Sequence, residues 1–241
     1  MNTRVIKVNP LDPEGRLIEK AAHILGNGGV IGYPTETVYG LGADAYNEDA
    51  LKRLFKIKGR ETGKAISILI GSMDMLDEVA ARIPPVAMGL IRGHWPGPLT
   101  IIFEASKACP PILTGDSGKI GVRISPYPIA RKLLEAFKKP ITSTSANLSG
   151  MPSLSDPNEV YSVFRGRIDL ILDVGKMQGE GEGVSTVIDV TVSPPRVLRE
   201  GVVKIEAEVE GKGRRGKRAR GWRFEGGGGR QNVKVQNPND K

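Results

Sequence analysis

At 241 residues and 39% hydrophobic side chains, the chain can bury one substantial core, which predicts one domain plus an extension. No apolar run approaches the roughly 20 residues of a membrane-spanning helix; the opening MNTRVIKVNP is not built like a signal peptide, and the single cysteine, Cys109, excludes an intrachain disulfide and predicts a reducing, cytoplasmic setting. The formal net charge is +8, but residues 211–241 hold ten Lys/Arg against Glu225 and Asp240, leaving 25 basic and 25 acidic residues in 1–210. The body is neutral and the tail is basic. One Cys and two His (His23, His94) also argue against a zinc site, and no protein-derived metal ligand set is expected.

Residues 3–8 read as a first strand. Asp12-Pro13-Glu14 reads as a helix start, with Asp as cap and Pro in the first turn. Leu17, Ile18, Ala21, Ala22 and Leu25 form one apolar helical face that ends at Gly26-Asn27-Gly28, with His23 just off it as a surface or packing residue. Val30 to Tyr33 is a short buried strand, closed by Pro34 because proline has no N–H for a ladder. Thr35, Glu36 and Thr37 follow, then Tyr39 with Gly40 and Gly42. This reads as a hydroxyl-rich, glycine-loosened loop suited to close approach of a ligand, although an ordinary junction has the same composition.

Residues 47–56 are a short helix, 65–70 a buried strand, 73–83 and 86–93 helices leading to HWPGPLT, where His94 is a loop or packing residue. Strands are predicted at 99–103 and 120–124, an amphipathic helix at 128–137, and a strand at 140–144 that opens into a Ser/Asn loop. A helix at 158–164 and strands at 170–174, 186–190 and 196–198 complete the body. Strands and helices intermix through short connections, which predicts an α/β fold, a mixed sheet with helices packed on it. From about residue 206 glycine and arginine dominate and apolar periodicity stops. Residues 1–206 are therefore expected to form the domain, and 207–241 a basic Gly/Arg-rich tail without order.

Three groups of residues can carry chemistry. Lys58-Gly59-Arg60, with Lys56 and Lys64 close by, puts cations around a glycine where they can converge on a polyphosphate; a solvated basic surface has the same look. GRETGKA at 59–65 is not a P-loop, since three residues rather than four separate its glycines and Ala65 stands where a Mg-binding hydroxyl belongs. Ser143, Thr144, Ser145 and Asn147 gather hydroxyls and an amide at a strand end; with no nearby His to act as base they suit hydrogen bonding rather than nucleophilic attack. Arg123, near the end of KIGVRI, needs an acidic partner or an anionic ligand, because a buried charge is costly unpaired. Ser185-Thr186 and Arg199 repeat that pattern more weakly.

YPTETVYGLGADA at 33–45, IKGR at 57–60 and TSTSANLSG at 142–150 stand in that order, and with them the chain resembles the YrdC/TsaC family of L-threonylcarbamoyladenylate synthases, in its short, single-domain, archaeal form, from about Val5 to about Val203. The resemblance implies a twisted α/β sheet enclosing a large, positively lined cavity. It implies an ATP-dependent nucleotidyltransferase that condenses L-threonine, bicarbonate or CO2 and ATP, accompanied by Mg2+, into L-threonylcarbamoyl-AMP and pyrophosphate. This is the first step of N6-threonylcarbamoyladenosine formation in tRNA, and it implies as partners tRNA and a downstream threonylcarbamoyl transferase complex.

By the same resemblance Lys58 and Arg60 act on the ATP phosphates as catalytic cations, with Lys64, Ser145, Asn147 and Arg199 also on the nucleotide. Thr35 or Thr37 (Thr37 favoured), Arg123, Ser143 and Ser185 hold L-threonine, with Arg123 on its carboxylate. Longer relatives carry a second folded domain, and the roughly 35 residues past the family core are too few for one. The text after the KxR motif, ETGKAISIL, also departs from the Pro-rich form of many relatives and leaves the role of Lys64 open. The alternative from another class is a non-catalytic double-stranded RNA or tRNA-binding module on the same fold. A related carbamoyl-adenylate-forming domain, as in hydrogenase-maturation proteins, lacks here the acylphosphatase-like and zinc-finger segments. The tail, with Trp222 among its cations, suits non-specific RNA contact or simple solubilisation.

Overall fold

The computed structural model describes residues 2–177, 184–209, 220–225 and 231–234. Two mixed sheets dominate it. The first runs in the order β1 (Arg4–Lys7), β9 (Leu170–Asp173), β2 (Ile31–Pro34), β3 (Tyr39–Gly42), β8 (Thr144–Ser145). The second runs β11 (Arg196–Arg199), β10 (Thr186–Asp189), β5 (Leu99–Glu104), β6 (Lys119–Arg123), β4 (Ile68–Leu69), β7 (Ile141–Thr142). Parallel pairs (β1–β9, β2–β9, β5–β10, β4–β6) alternate with antiparallel ones, as the mixed reading predicts.

Side-chain alternation explains how the layers stack. In β9, Leu170 and Leu172 join one apolar cluster with Ile18, Ala21 and Leu25 of helix α1 (Gly15–Gly26) and Ile129, Leu133 and Leu134 of α6 (Pro128–Phe137). Ile171, pointing the other way, joins a larger cluster that contains Leu41 of the first sheet, Ile101 and Val122 of the second, and Leu51, Leu54 and Phe55 of α2 (Glu48–Lys58). A strand covered on both faces reads as an unbroken apolar run, which is what LIL is. The cap of α1 differs from expectation. Glu14 holds the N-cap position without a side-chain cap bond, while Asp12 accepts from Lys132 Nζ at 3.1 Å. For α2 the cap is Asn47, whose Oδ1 accepts from the Asp49 and Ala50 N–H groups at 3.1 and 3.0 Å.

The glycine-loosened loop proves to be half strand. Tyr39–Gly42 pairs antiparallel with β2, Tyr33 opposite Gly40. The fully buried Tyr33 ring accounts for the glycines: a Cβ at Gly42 would lie 3.0 Å from it and one at Gly40 3.3 Å away. Their small size serves packing of a ring across the strand, a tertiary demand that local propensity does not reveal.

Expectation and structure also part beyond residue 206. The chain forms an antiparallel meander of β12 (Lys204–Val209), β13 (Arg220–Glu225) and β14 (Gln231–Lys234), with Ala207 opposite Trp222 and Trp222 opposite Val233. The expected domain boundary falls inside β12, where Ile205, Ala207 and Val209 alternate with charged residues, a period of two that the Gly/Arg composition hides. Val203 and Ile205 pack against the larger cluster. The rest of the tail, residues 210–219, 226–230 and 235–241, lies outside the described residues.

Candidate active site

The site forms where one strand changes sheets. β7 pairs with β4 in the second sheet, and one residue later β8 pairs with β3 in the first. Ser143 is the step between them, its N–H bonded to the Ser67 carbonyl at 2.6 Å. Thr142 anchors the crossing: its hydroxyl donates to the Leu41 carbonyl at 2.9 Å and accepts from the Ala43 N–H at 3.0 Å. Beside this crossing lies a cavity of about 370 Å³, a common size for a small-molecule site.

The cavity brings together Thr35, Thr37, Arg60, Arg123, Ser143, Ser145, Asn147, Ser185 and Arg199 from the sequence-predicted set. Ser67, Thr100, Thr144 and Ser153 complete its polar wall. A second cavity of about 360 Å³ shares Arg60, Thr144, Ser145 and Asn147 and adds Lys58, Glu61 and Lys64. Arg60 therefore stands at the junction of the two. Its Nη2 donates to the Ala65 carbonyl at 2.7 Å, while its Nε is buried with no partner among the described residues. Burial pulls its guanidinium below the ordinary value.

Lys58 lines the second cavity with Arg60 and Lys64, and its ammonium is committed to the protein's own Ser/Asn loop. It ends α2, and Gly59, at φ 60°, turns the chain left-handed so that Lys58 and Arg60 diverge in what they contact. Lys58 is 2% exposed, and its ammonium donates to Ser145 O (2.6 Å), Asn147 O (2.9 Å) and Asn147 Oδ1 (3.0 Å). Three donors meet three acceptors. Its own carbonyl accepts the Ser149 N–H at 2.9 Å. Lys58 thus clamps the Ser/Asn loop to the end of α2. Burial first, and the Arg60 charge second, lowers its pKa to about 8. Asn147 is equally committed: Oδ1 also accepts from Ser145 Oγ at 2.7 Å, and Nδ2 donates to the Met151 carbonyl. Lys64 is 65% exposed and pairs with Glu61 at 3.0 Å on the rim of the second cavity.

The carboxylate partner that Arg123 requires is Glu36. Arg123, 5% exposed at the end of β6, donates from Nη1 to Glu36 Oε1 at 2.5 Å; its Nη2 reaches Ser143 Oγ at 3.4 Å, and its Nε is buried without a partner among the described residues. Sequence reasoning anticipated the need but did not connect it to Glu36. Of the two threonines flanking that carboxylate, Thr35 is spent locally, donating to the Val38 carbonyl at 2.7 Å and accepting from the Thr37 N–H at 3.3 Å. Thr37, whose hydroxyl lies 3.1 Å from that of Thr35, is the freer of the pair.

Across the cavity, Arg199 donates to the Ser185 carbonyl from Nε (3.0 Å) and Nη2 (2.8 Å), and from Nη2 to Ser185 Oγ (2.9 Å). Ser185 Oγ lies 3.0 Å from Thr100 Oγ1. Burial first, then the charge of Arg123, lowers the Arg199 guanidinium below its ordinary value. Among the described residues no cluster of His, Cys, Asp or Glu could hold a metal ion, and no helix is long and apolar enough to cross a membrane.

Comparison with known proteins matches this architecture. A protein-family model for Sua5, YciO and YrdC, described as "Telomere recombination", matches residues 23–201. A threonylcarbamoyl-AMP synthase of Pyrococcus abyssi is 42% identical over 193 residues, 80% of this chain but only 56% of that protein. The crystal structure of P. abyssi Sua5 complexed with L-threonine superposes with a TM-score of 0.80 at 40% identity, covering 83% of this chain and 58% of the other. A threonylcarbamoyl-AMP synthase of Coxiella burnetii is 37% identical over 163 residues, 68% of this chain and 88% of the relative. Escherichia coli YciO superposes with a TM-score of 0.76 at 34% identity over 83% of this chain and 96% of its own. With the family model covering most of its length and these relatives on either side, the chain belongs to the Sua5/YciO/YrdC family.

Proposed function

We propose that the chain is an ATP-dependent threonylcarbamoyl-AMP synthase, which joins L-threonine, bicarbonate or CO2 and ATP into L-threonylcarbamoyl-AMP and pyrophosphate. One observation carries the reading: two cavities of small-molecule size meet at Arg60, one walled by hydroxyls with Arg123 and Arg199, the other by Lys58, Arg60 and Lys64. An amino acid suits the first and a polyphosphate the second, so that the carboxylate end and the phosphoryl end of a mixed product lie on either side of one cation. The name and the bound L-threonine of the P. abyssi relatives support the same assignment.

On this reading the reaction divides into two transfers. The threonine amine attacks the carbon of CO2 and loses a proton, giving a carbamate. A carbamate oxygen then attacks the α-phosphorus of ATP, the bond to the bridging oxygen breaks, and pyrophosphate leaves. Neither step needs a protein nucleophile, and among the described residues lining the cavity no hydroxyl has a His beside it. What the chain supplies is placement and charge. Arg123 and the Thr37, Ser143 and Ser185 hydroxyls orient the amino acid, Arg60 stabilises charge at the transferring phosphoryl group, and Ser145 and Asn147, held by Lys58, shape the nucleotide side. Mg2+ enters with ATP as part of the substrate, and Glu61 is the one carboxylate among the described residues lining the second cavity. The product would pass to a threonylcarbamoyl transferase complex acting on tRNA.

Pyrophosphate release from ATP, measured with and without L-threonine and bicarbonate, tests the proposal. Release that requires both is the expected result. ATP turnover indifferent to threonine, or no release at all, would refute it and leave an RNA-binding role on the same fold as the better reading.

A further inference from the structure

Glu36 stands between the two threonines of the β2–β3 turn, and its carboxylate is 14% exposed. Both of its oxygens are engaged. Oε1 accepts from Arg123 Nη1 and Oε2 from Ser125 Oγ, each at 2.5 Å. Ser125, buried at 2% exposure, is itself fixed, its Oγ accepting the Tyr127 N–H at 3.2 Å. Arg123 lines the larger cavity whereas Glu36 and Ser125 do not, so the carboxylate stands behind the guanidinium as seen from the ligand space.

The atoms used on each side matter. A guanidinium presents two forks, and the carboxylate holds Nη1. That leaves Nε without a partner and Nη2 with only a long 3.4 Å contact to Ser143 Oγ. These two nitrogens make up the side-on fork that takes a carboxylate bidentately. Glu36 also belongs to the same short turn as Thr37, so one ion pair ties the hydroxyl-bearing turn of the first sheet to the Arg-bearing strand of the second.

We propose that Glu36 is a positioning residue for amino-acid recognition: with Ser125 behind it, it holds Arg123 by the Nη1 end so that the Nε/Nη2 fork is kept for the substrate carboxylate. This rests on the amino-acid reading of the larger cavity given above. A buried arginine without that anchor has several rotamers open to it and would have to be ordered anew by each substrate. Glu36 touches no ligand in this scheme; it acts through Arg123.

The test uses the full chain and two ligands, L-threonine and L-threoninol, which lacks the carboxylate. Binding by calorimetry and KM values from pyrophosphate release are compared for the unaltered protein, Glu36→Gln and Ser125→Ala. Glu36→Gln should weaken L-threonine binding and raise its KM by roughly 10- to 100-fold, the scale of an interaction with a charged group, and leave the KM for ATP within about twofold. Ser125→Ala should shift the threonine KM in the same direction by a smaller factor. L-Threoninol should bind both variants as it binds the unaltered protein, because the fork it cannot use is the feature lost. Equal threonine affinity in Glu36→Gln, or equal losses for threonine, threoninol and ATP, would overturn the proposal. Should Glu36→Gln fail to fold, an unchanged threonine KM in Ser125→Ala overturns it instead. An unaltered protein that binds no L-threonine would refute the functional reading itself, a result distinct from any of these.

Discussion

Replacing Lys58 with Met removes the ammonium and keeps most of the side-chain volume, which isolates what the charge does. The folded chain lowers Lys58 from 10.5 to about 8, mainly through burial. A shift of that size means the folded state holds the ammonium charged at a cost of about 3 kcal/mol at neutral pH. Met removes that cost but strips the donor from Ser145 O, Asn147 O and Asn147 Oδ1, each of which loses about 1–3 kcal/mol unless water replaces it. Because the second cavity opens on these groups, water can enter, and the two effects should nearly cancel, leaving stability within about 2 kcal/mol of the unaltered chain. The pH dependence has a definite sign. Between about 8 and 10.5 the unfolded lysine binds its proton while the folded one has released it, so the unaltered protein gains stability relative to the Met variant as pH rises through that window. Below about 8 the difference is flat. Urea unfolding from pH 7 to 10.5 should show the slope, at up to about 1.4 kcal/mol per pH unit. Pyrophosphate release should fall by about two orders of magnitude, since the Ser145–Asn147 loop loses its clamp and with it the alignment of the nucleotide. Turnover within about threefold of the unaltered protein, together with a stability difference flat across that range, would show that neither the clamp nor the buried charge is as described.

Three further outcomes are expected. L-2-Aminobutyrate, which is threonine without its hydroxyl, should be a poor substrate and L-serine an intermediate one, because the hydrogen bond that Thr37, Ser143 or Ser185 would make to the substrate hydroxyl is lost; equal rates for threonine and 2-aminobutyrate would contradict the hydroxyl-lined site. Gly42→Ala should cost about 1–3 kcal/mol of stability, read as a lowered Tm, since its new methyl would lie 3.0 Å from the Tyr33 ring. Removing residues 207–241, which hold six of the eight net positive charges, should leave pyrophosphate release within about twofold but weaken tRNA binding at low salt and flatten its salt dependence. Unchanged tRNA affinity and slope would exclude the tail from RNA contact, and lost release would show that the meander supports the site.

The elements with strong periodicity were legible because burial alone decides them. The face of α1 through Ile18, Ala21 and Leu25, the run of α6 and the strands at Leu99 and Leu170 required only a period of 3.6 or 2. The second arm of the β2–β3 hairpin was not legible, because its glycines answer to the Tyr33 ring on the neighbouring strand. Nor was the division of 140–145 between two sheets, which depends on β3 and β4 being near one another and leaves no mark on TSTS itself. Most of the candidate site residues were legible as types, and the cavity gathers them, but their states were not. Lys58 spends its charge on loop carbonyls, Thr35 spends its hydroxyl on its own turn, and Lys64 pairs with Glu61 at the rim. Each is a partner choice made in three dimensions. Arg123 is the instructive middle case: its sequence position called for an acidic partner or an anionic ligand, and the acidic residue that meets it, Glu36, lies within the YPTETVYGLGADA motif itself.

The distribution of charge around the larger cavity bears on which species it favours. Arg60, Arg123 and Arg199 all line it, and among the described residues only Arg123 of the three has a carboxylate partner. Arg60 and Arg199 donate instead to neutral oxygens, of Ala65 and Ser185, and burial works against the charge of both. Arg123 adds to that pressure on Arg199, so two like charges share a partly desolvated space. Such an arrangement costs free energy when empty and recovers it with an anion. L-Threonine offers little relief overall, because its ammonium offsets its carboxylate. The carbamate formed from it differs in just this respect: the positive amine is gone, a second negative group has replaced it, and the molecule is a dianion. On the proposed function the guanidinium groups would gain more from the carbamate than from threonine, a difference that would favour CO2 addition and retain its unstable product until phosphorus is attacked. On that proposal the cations that recognise the amino acid would also stabilise what it becomes, whereas a cavity that merely fitted threonine would bind substrate without advancing the reaction.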